Sequence, residues 1–236
     1  MALGLGINHS VTDYALGWEP TDNNPSIGTI KLFLKNDTNI STNAWLDEID
    51  SDGDFIQNEL GRQASLSGGG LNFDGVNDMY EREETLIFSG NTPLTIAFVF
   101  SPSAGLTGQN IFQSEQGNSR ISITNYGVNS ILHFESDGLV TTFTWGRNIA
   151  TEMQYIIILK SDNGSMVAYN NQHGDAVVGN SPNENPFSVK YMGFGNSSYF
   201  PGIIYEVFMI AGSPINGNYH NSIKNYLNYK FNLIGV

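Results

Sequence analysis

The stretches Leu71-Asn72-Phe73-Asp74-Gly75-Val76-Asn77-Asp78 and Tyr199-Phe200-Pro201-Gly202-Ile203-Ile204-Tyr205-Glu206-Val207 bracket the middle of the chain, and the segments between them decide the fold class. Asp74-Gly75 is a turn dipeptide, and Asn77 and Asp78 can hydrogen-bond their own backbone. Pro93-Leu94-Thr95-Ile96-Ala97-Phe98-Val99-Phe100 is apolar on both faces, which predicts a central strand; Pro93 is tolerated at its start. Residues 120–124 alternate cleanly, as a half-buried strand must. Leu132 and Phe134 alternate with His133 and Glu135. Asp137-Gly138 then turns the chain into residues 139–145, which predicts a hairpin. Residues 155–159 and 166–169 flank Asp162-Asn163-Gly164 and predict a second one. Gly202 opens a buried strand that runs through Ile210.

Outside this frame the chain changes character. Residues 30–34 form one more predicted strand. Residues 1–28 are irregular, broken by Gly4, Gly6, Gly17, Pro20 and Pro25. They carry apolar anchors (Leu3, Leu5, Ile7, Tyr14, Leu16, Trp18) without strand-length alternation. The expected division is an N-terminal arm over 1–28, held by a neighbouring subunit, and one β domain over 29–236. At the other end Ser213-Pro214 fits a helix start. Ile215, Tyr219, Ile223, Tyr226, Leu227 and Lys230 follow helical spacing and predict one amphipathic helix packed on the sandwich rim.

Composition removes several functions. The 236 residues contain no cysteine, so disulfides, thiolate metal sites and cysteine nucleophiles are excluded. The net charge is −13, from 10 basic and 23 acidic residues, and the basic residues are scattered. Nucleic acid and anionic membrane are therefore poor partners. No segment reaches the ~20 apolar residues that span a bilayer. Residues 1–9 have no positive n-region and no long apolar run, which predicts synthesis in a cytoplasm.

The ordered motifs resemble the concanavalin A-like lectin/glucanase superfamily, in particular its laminin-G-like jelly rolls. The resemblance covers residues 40 to 232. It rests on Phe73-Asp74-Gly75 with Asn77-Asp78, on Leu94-Thr95-Ile96-Ala97-Phe98-Val99, on Gly202-Ile203-Ile204-Tyr205-Glu206-Val207, and on Tyr226-Leu227. It implies an all-β, concanavalin A-like jelly-roll β-sandwich with an irregular N-terminal arm and one short C-terminal helix. One departure stands out. Many members carry a valine-asparagine-glycine turn where this chain has Tyr169-Asn170-Asn171-Gln172. The opening Met1-Ala2-Leu3-Gly4-Leu5-Gly6 is similar to the start of some tailed-phage structural proteins.

Candidate chemistry is sparse. Glu48-Ile49-Asp50-Ser51-Asp52 is similar to the catalytic strand of the superfamily's glucanases, whose carboxylates recur at every second position. Retaining hydrolysis needs two of them ~5 Å apart. Gly53 interrupts the pattern, and a solvated acidic loop is the simpler expectation. Asp50, Asp52 and Asp54 form a candidate Ca²⁺ loop, since hard cations take several oxygen ligands on a flexible backbone. Asp74, Asn77 and Asp78 could add oxygens, but turn-forming Asx residues are the simpler expectation. No histidine pair has metal-ligand spacing, and Gly-x-Ser-x-Gly is absent. Tyr191, Tyr199 and Phe200 form a possible glycan platform, because sugar binding wants exposed rings beside amides or carboxylates. Tyr126 and Trp145 are further aromatics, and the spacing of Trp145 from Phe143 predicts burial.

Without a catalytic constellation, the expectation is a non-enzymatic bacteriophage virion structural protein. A capsid decoration (cement) protein at the virion surface fits best. Its partners would be the major capsid protein and neighbouring copies of itself in a homo-oligomer such as a trimer. The alternatives are a carbohydrate-binding, lectin-like module of a tail fibre or adhesin and, more remotely, a glycoside hydrolase. No cofactor is expected beyond the Ca²⁺ of the acidic loop.

Overall fold

A strand with apolar residues on both faces needs cover on both faces, and Leu94–Pro102 receives it. This strand, β7, lies inside one of two antiparallel sheets in the computed structural model. The model describes residues 28–50, 53–103, 106–126, 128–149, 151–161, 165–175, 179–180, 185–212 and 217–233. The nine-stranded sheet runs in the order β14 (Gly174–Asp175), β13 (Ser165–Asn170), β12 (Gln154–Lys160), β7, β19 (Pro201–Ala211), β5 (Gly70–Asp74), β4 (Ser65–Ser67). Beside that path, β1 (Thr29–Leu34) pairs with β19 and β15 (Gly179–Asn180) with β13.

The eight-stranded sheet runs in the order β11 (Leu139–Trp145), β10 (Asn129–Ser136), β9 (Arg120–Tyr126), β8 (Thr107–Gln113), β16 (Phe187–Met192), β6 (Tyr80–Phe88), β3 (Phe55–Ile56), β2 (Ala44–Trp45). A small hairpin, β17 (Phe194–Gly195) with β18 (Ser198–Tyr199), stands apart. The fold is therefore the all-β sandwich that the motifs implied. Both expected hairpins form, β10 with β11 and β12 with β13. In the first, Asp137 and Gly138 sit at φ 45° and 82°, the left-handed pair that matches the twist of the flanking strands. The turn of the second, 162–164, lies outside the described residues.

Alternation along the strands sorts side chains into two layers. Ile96, Phe98, Phe100, Ile156 and Ile158 point between the sheets, with Phe112, Ile121, Leu132, Phe134 and Phe143 facing them. Ala97, Val99, Tyr155, Ile157 and Leu159 point the other way. On that outer face lies α1 (Gly217–Phe231), the one α-helix among the described residues, through Ile223, Tyr226 and Leu227. The helix was expected on the rim of the sandwich; it covers a sheet face instead. The reason is the second apolar stripe of β7, β12 and β19. Each Val, Leu, Ile or Phe left uncovered there would forgo about 1.5–3 kcal/mol. Ser213 and Pro214, the expected start, lie outside the described residues. The described helix is neither long nor apolar enough to cross a membrane.

Strand β19 changes phase in its middle. Ile204 faces the inner core, as do Val207 and Met209, while Tyr205, Phe208 and Ile210 face the helix. A register shift between Ile204 and Glu206 against β7 supplies the extra residue. At the same place β19 changes partner, from β5 (through Ile204) to β1 (from Val207). Glu206 sits at this junction with no exposed surface. It accepts bonds from Tyr226 Oη (2.7 Å), the Asn36 amide (3.1 Å) and Lys230 Nζ, tying helix, strand and the exit of β1 together.

Candidate functional site

The two outer faces of the sandwich differ. The helix covers one. On the other, strands β10 and β11 present His133, Glu135, Val140, Thr142 and Thr144 outward. Among the described residues, what lies over this second face is the hairpin β17–β18, which sits against β8. Its turn residues, Asn196 and Ser197, take φ 47° and 62°, the left-handed pair of a two-residue hairpin. Gly195 rests so close to β8 that a Cβ there would stand 2.1 Å from Gln113 Oε1. Asn110 Nδ2 donates to the Gly195 carbonyl (2.6 Å), and the Gly193 amide donates to the Ile111 carbonyl (2.9 Å).

This seating gathers three partly exposed rings. Phe194 packs edge-on to Tyr191 with centroids 6.1 Å apart, and tilts against Tyr199 at 4.9 Å. Tyr191 and Tyr199 thus lie on either side of Phe194. Phe200 does not join them. It is fully buried, edge-on to Phe73 and Phe100 at 6.3 Å each. The platform expectation is corrected there: Phe200 leads into β19 and its alternation turns the ring into the core. Phe194 takes its place. A signal existed in Gly193-Phe194-Gly195, where an aromatic between glycines has no strand-length run to bury it. Trp145 is buried as its spacing predicted. The side chain of Tyr126 lies outside the described residues.

Polar groups border the rings. Tyr191 pairs across to Glu81 on one side and Gln113 on the other. Burial, then the carboxylates of Glu81 and Glu115, push the Tyr191 phenol above its ordinary value. Lys190 Nζ donates to the Glu83 carbonyl (2.8 Å) and lies 3.3 Å from Glu81 Oε1. A cleft of about 320 Å³ opens beside them, lined by Ile56, Asn58, Glu81, Arg82, Glu83 and Lys190. Along the row, Gln113 pairs with Arg120 and Arg120 with Glu135, whose carboxylate meets the guanidinium at 2.5 Å. Nearby, burial and then Arg120 hold His133 below the ordinary histidine value, against the pull of Glu135. The face offers flat apolar rings beside carboxylates, amides and a cation.

The acidic loop does not form the strand that the glucanase likeness requires, and residues 51–52 lie outside the described residues. Residues 46–50 form no strand, so the alternate projection of Glu48 and Asp50 that the glucanase likeness requires does not arise. Glu48 instead accepts from Asn39 Nδ2 (3.0 Å). Of the candidate Ca²⁺ ligands, Asp54 Oδ1 accepts the Asp47 amide (2.8 Å), and Asp50 accepts the Gly53 amide with its carbonyl (2.8 Å). Asp52 lies outside the described residues. Among the described residues no three acidic, histidine or cysteine side chains group as metal ligands would. Asp74 Oδ1 accepts the amides of Val76 (2.7 Å) and Asn77 (3.2 Å), and Asp78 Oδ2 that of Asp74 (2.7 Å), so these carboxylates serve their own turn.

No protein-family model and no curated protein matches the chain. Solved structures do. Domain 4 of AbnA, a GH43 extracellular arabinanase from Geobacillus stearothermophilus, in complex with arabinotriose, superposes with a TM-score of 0.53 at 14% identity, over 83% of this chain and 98% of that domain. The ligand-binding domain of botulinum neurotoxin serotype D, in complex with N-acetylneuraminic acid, gives 0.60 at 14% identity, over 88% and 52%. The sialidase of Trypanosoma rangeli in complex with sialic acid gives 0.55 at 12% identity, over 88% and 34%. This chain therefore spans about half of the toxin domain and a third of the sialidase. At such identities the likeness is one of fold: all are β-sandwich domains.

Proposed function

We propose that this protein is a lectin-like module that binds a glycan on the open face of its eight-stranded sheet and does not cleave it. The observation that carries the proposal is the trio Tyr191, Phe194 and Tyr199, held on the open face by the seated hairpin beside Glu81, Lys190 and the Asn58 cleft. A pyranose or furanose ring has a C–H face that packs on an aromatic ring and hydroxyls that bond to carboxylates and amides. The saccharides in the arabinanase, toxin and sialidase complexes support the reading.

A glycan array followed by calorimetry tests it. The protein should retain at least one oligosaccharide. Tyr191→Ala and Tyr199→Ala should each weaken that binding about tenfold, the loss of one stacking partner and its buried area, with the melting curve unchanged. Release of reducing ends would make the protein a hydrolase. Unaltered binding by both variants would place the site elsewhere.

The irregular residues 1–28 motivate the second reading, a capsid decoration protein on a tailed-phage virion with the major capsid protein and further copies of itself as partners. Residues 1–27 lie outside the described residues. Silence on the array, joined to capture on empty phage heads at fixed stoichiometry, would favour this reading over the first.

A further inference from the structure

The register of the eight-stranded sheet runs one row of side chains past the aromatic trio. Ile56 stands opposite Glu81, Glu81 opposite Tyr191, and Tyr191 opposite Gln113. Residues paired in this way project to one face with Cβ atoms about 5 Å apart, so Glu81 is an immediate neighbour of the Tyr191 side chain. Glu83, exposed two places along β6, lines the same cleft of about 320 Å³ as Glu81. Glu115, exposed in the turn between β8 and β9, is near enough to act with Glu81 on the Tyr191 phenol.

The cations of this face are already committed. Lys190 is only 9% exposed, and its ammonium is held by the Glu83 carbonyl (2.8 Å) and by Glu81 Oε1 (3.3 Å). Arg82 is buried and turned inward. Its Nη1 donates to the Gly53 carbonyl (2.9 Å) and its Nε to the Glu84 carbonyl (3.2 Å), and the nearby carboxylates of Asp47, Asp50 and Asp54 favour its charge. Arg120 is paired with Glu135. The carboxylates are less committed. The Glu81 side chain stays 47% exposed beside Lys190, and Glu83 and Glu115 make no ion pair among the described residues. Three carboxylates therefore border the rings against one ammonium, in a chain of net charge −13. An anionic sugar brought to Tyr191 would meet Glu81 and Glu115 and no uncommitted cation, and juxtaposed like charges are costly. A cationic sugar gains twice, since its ammonium pairs with a carboxylate and is drawn to the negative face of the neighbouring ring.

We propose that the aromatic face selects an amino sugar, whose ring packs on Tyr191, Phe194 and Tyr199 and whose ammonium is held by Glu81 with Glu83 and Glu115 alongside, and that it rejects sialic and uronic acids. The inference rests on the lectin reading above and gives it a ligand class. It runs opposite to the acid sugar in the toxin and sialidase complexes, which resemble this chain in fold alone.

The test is calorimetry on the full chain in low-salt buffer at about pH 6, where a sugar amine is charged. The probes are chitotriose with free amines, its N-acetylated form, lactose and sialyllactose. The free-amine trimer should bind at least about tenfold more tightly than the N-acetylated one, and sialyllactose no more tightly than lactose. Salt at about 0.5 M or, separately, a rise to about pH 9, where the amine loses its charge, should erase most of the preference. Glu81→Gln should cut the ratio of the two trimer affinities to about threefold or less, whereas Tyr191→Ala should weaken both trimers alike. Equal binding of the two trimers, with both weakened in Tyr191→Ala, overturns the amino-sugar inference and leaves the lectin reading standing. So does tighter binding of sialyllactose than of lactose, an unchanged ratio in Glu81→Gln, or displacement of the amine trimer by an equal concentration of spermidine. Retention of no oligosaccharide overturns both.

Discussion

Asp47 divides its two oxygens between opposite fates. Oδ1 accepts the amides of Phe33 (2.8 Å) and Ile49 (3.1 Å), while Oδ2 is buried with no partner among the described residues. Gly53 presses on it so closely that a Cβ would stand 2.0 Å from Oδ2. Arg82 is near, but its Nη1 donates to the Gly53 carbonyl (2.9 Å). Burial therefore dominates, and the carboxyl is pushed up from 3.8 to about 6 against its amide donors and Arg82. The folded state then holds this proton more tightly than the unfolded chain does. Stability from this group is present below pH 3.8 and is lost as pH rises towards 6. Asp47→Asn keeps the Oδ1 acceptor and removes the charge. It should raise stability at pH 7.5 by about 2 kcal/mol and flatten the decline between pH 4 and 6, as read from urea melts at both ends. A variant with the parent's pH slope would show that Asp47 is not the responsible group.

At the scale of elements, the helix is joined to its sheet by one buried carboxylate. Burial pushes Glu206 above the ordinary glutamate value, and Lys230 and Tyr226 oppose the shift. Around this joint the helix packs by ordinary contacts. Phe208 meets Tyr226 edge-on at 6.4 Å, Tyr155 Oη donates to Asn228 Oδ1 (3.0 Å), and Lys224 Nζ stands 3.6 Å from the centre of the Tyr169 ring. Removing the cation alone leaves a buried carboxylate without its counter-charge. Lys230→Met should cost about 3 kcal/mol at pH 8, less as the pH falls and Glu206 takes up a proton, and much less when combined with Glu206→Gln. Denaturant melts of the two single variants and the double variant measure the coupling; additive losses would mean that the pair carries none. The hairpin β17–β18 is joined to β8 in another way, by close backbone approach and amide bonds. That approach buries Asn110 and Gln113, each with one amide oxygen lacking a partner among the described residues.

At the scale of the whole molecule, the described residues cover one sheet on both faces and the other mainly on one. Opening should be hardest where cover is double. The amides of β7 and β19 should exchange with solvent most slowly, and those of β2 and β11, at the edges of the eight-stranded sheet, at least about a hundredfold faster. Hydrogen exchange followed by mass spectrometry resolves these segments, and equal protection of β11 and β7 would contradict the layering. The same asymmetry puts the aromatic trio on the face that the described residues leave mostly uncovered.

Much of this architecture was legible from residue patterns. Alternation at 120–124 and 132–135, Asp137-Gly138 at the turn, and the doubly apolar run before Phe100 specify strands and their partners through local chemistry. The Tyr226-Leu227 pair marked the helix, although not its seat. Phe200 and Phe194 show where local chemistry ends. Both lie at the small hairpin and both are aromatic, yet the first fills the core and the second is partly exposed. Which strand runs beneath each of them decides the difference. The sequence by itself determined a two-sheet sandwich with a closing helix, because side-chain period and turn preference act between neighbours along the chain. Only the tertiary structure decided that the helix covers a face and that three rings gather on the other, because each depends on segments brought together from far apart in the chain.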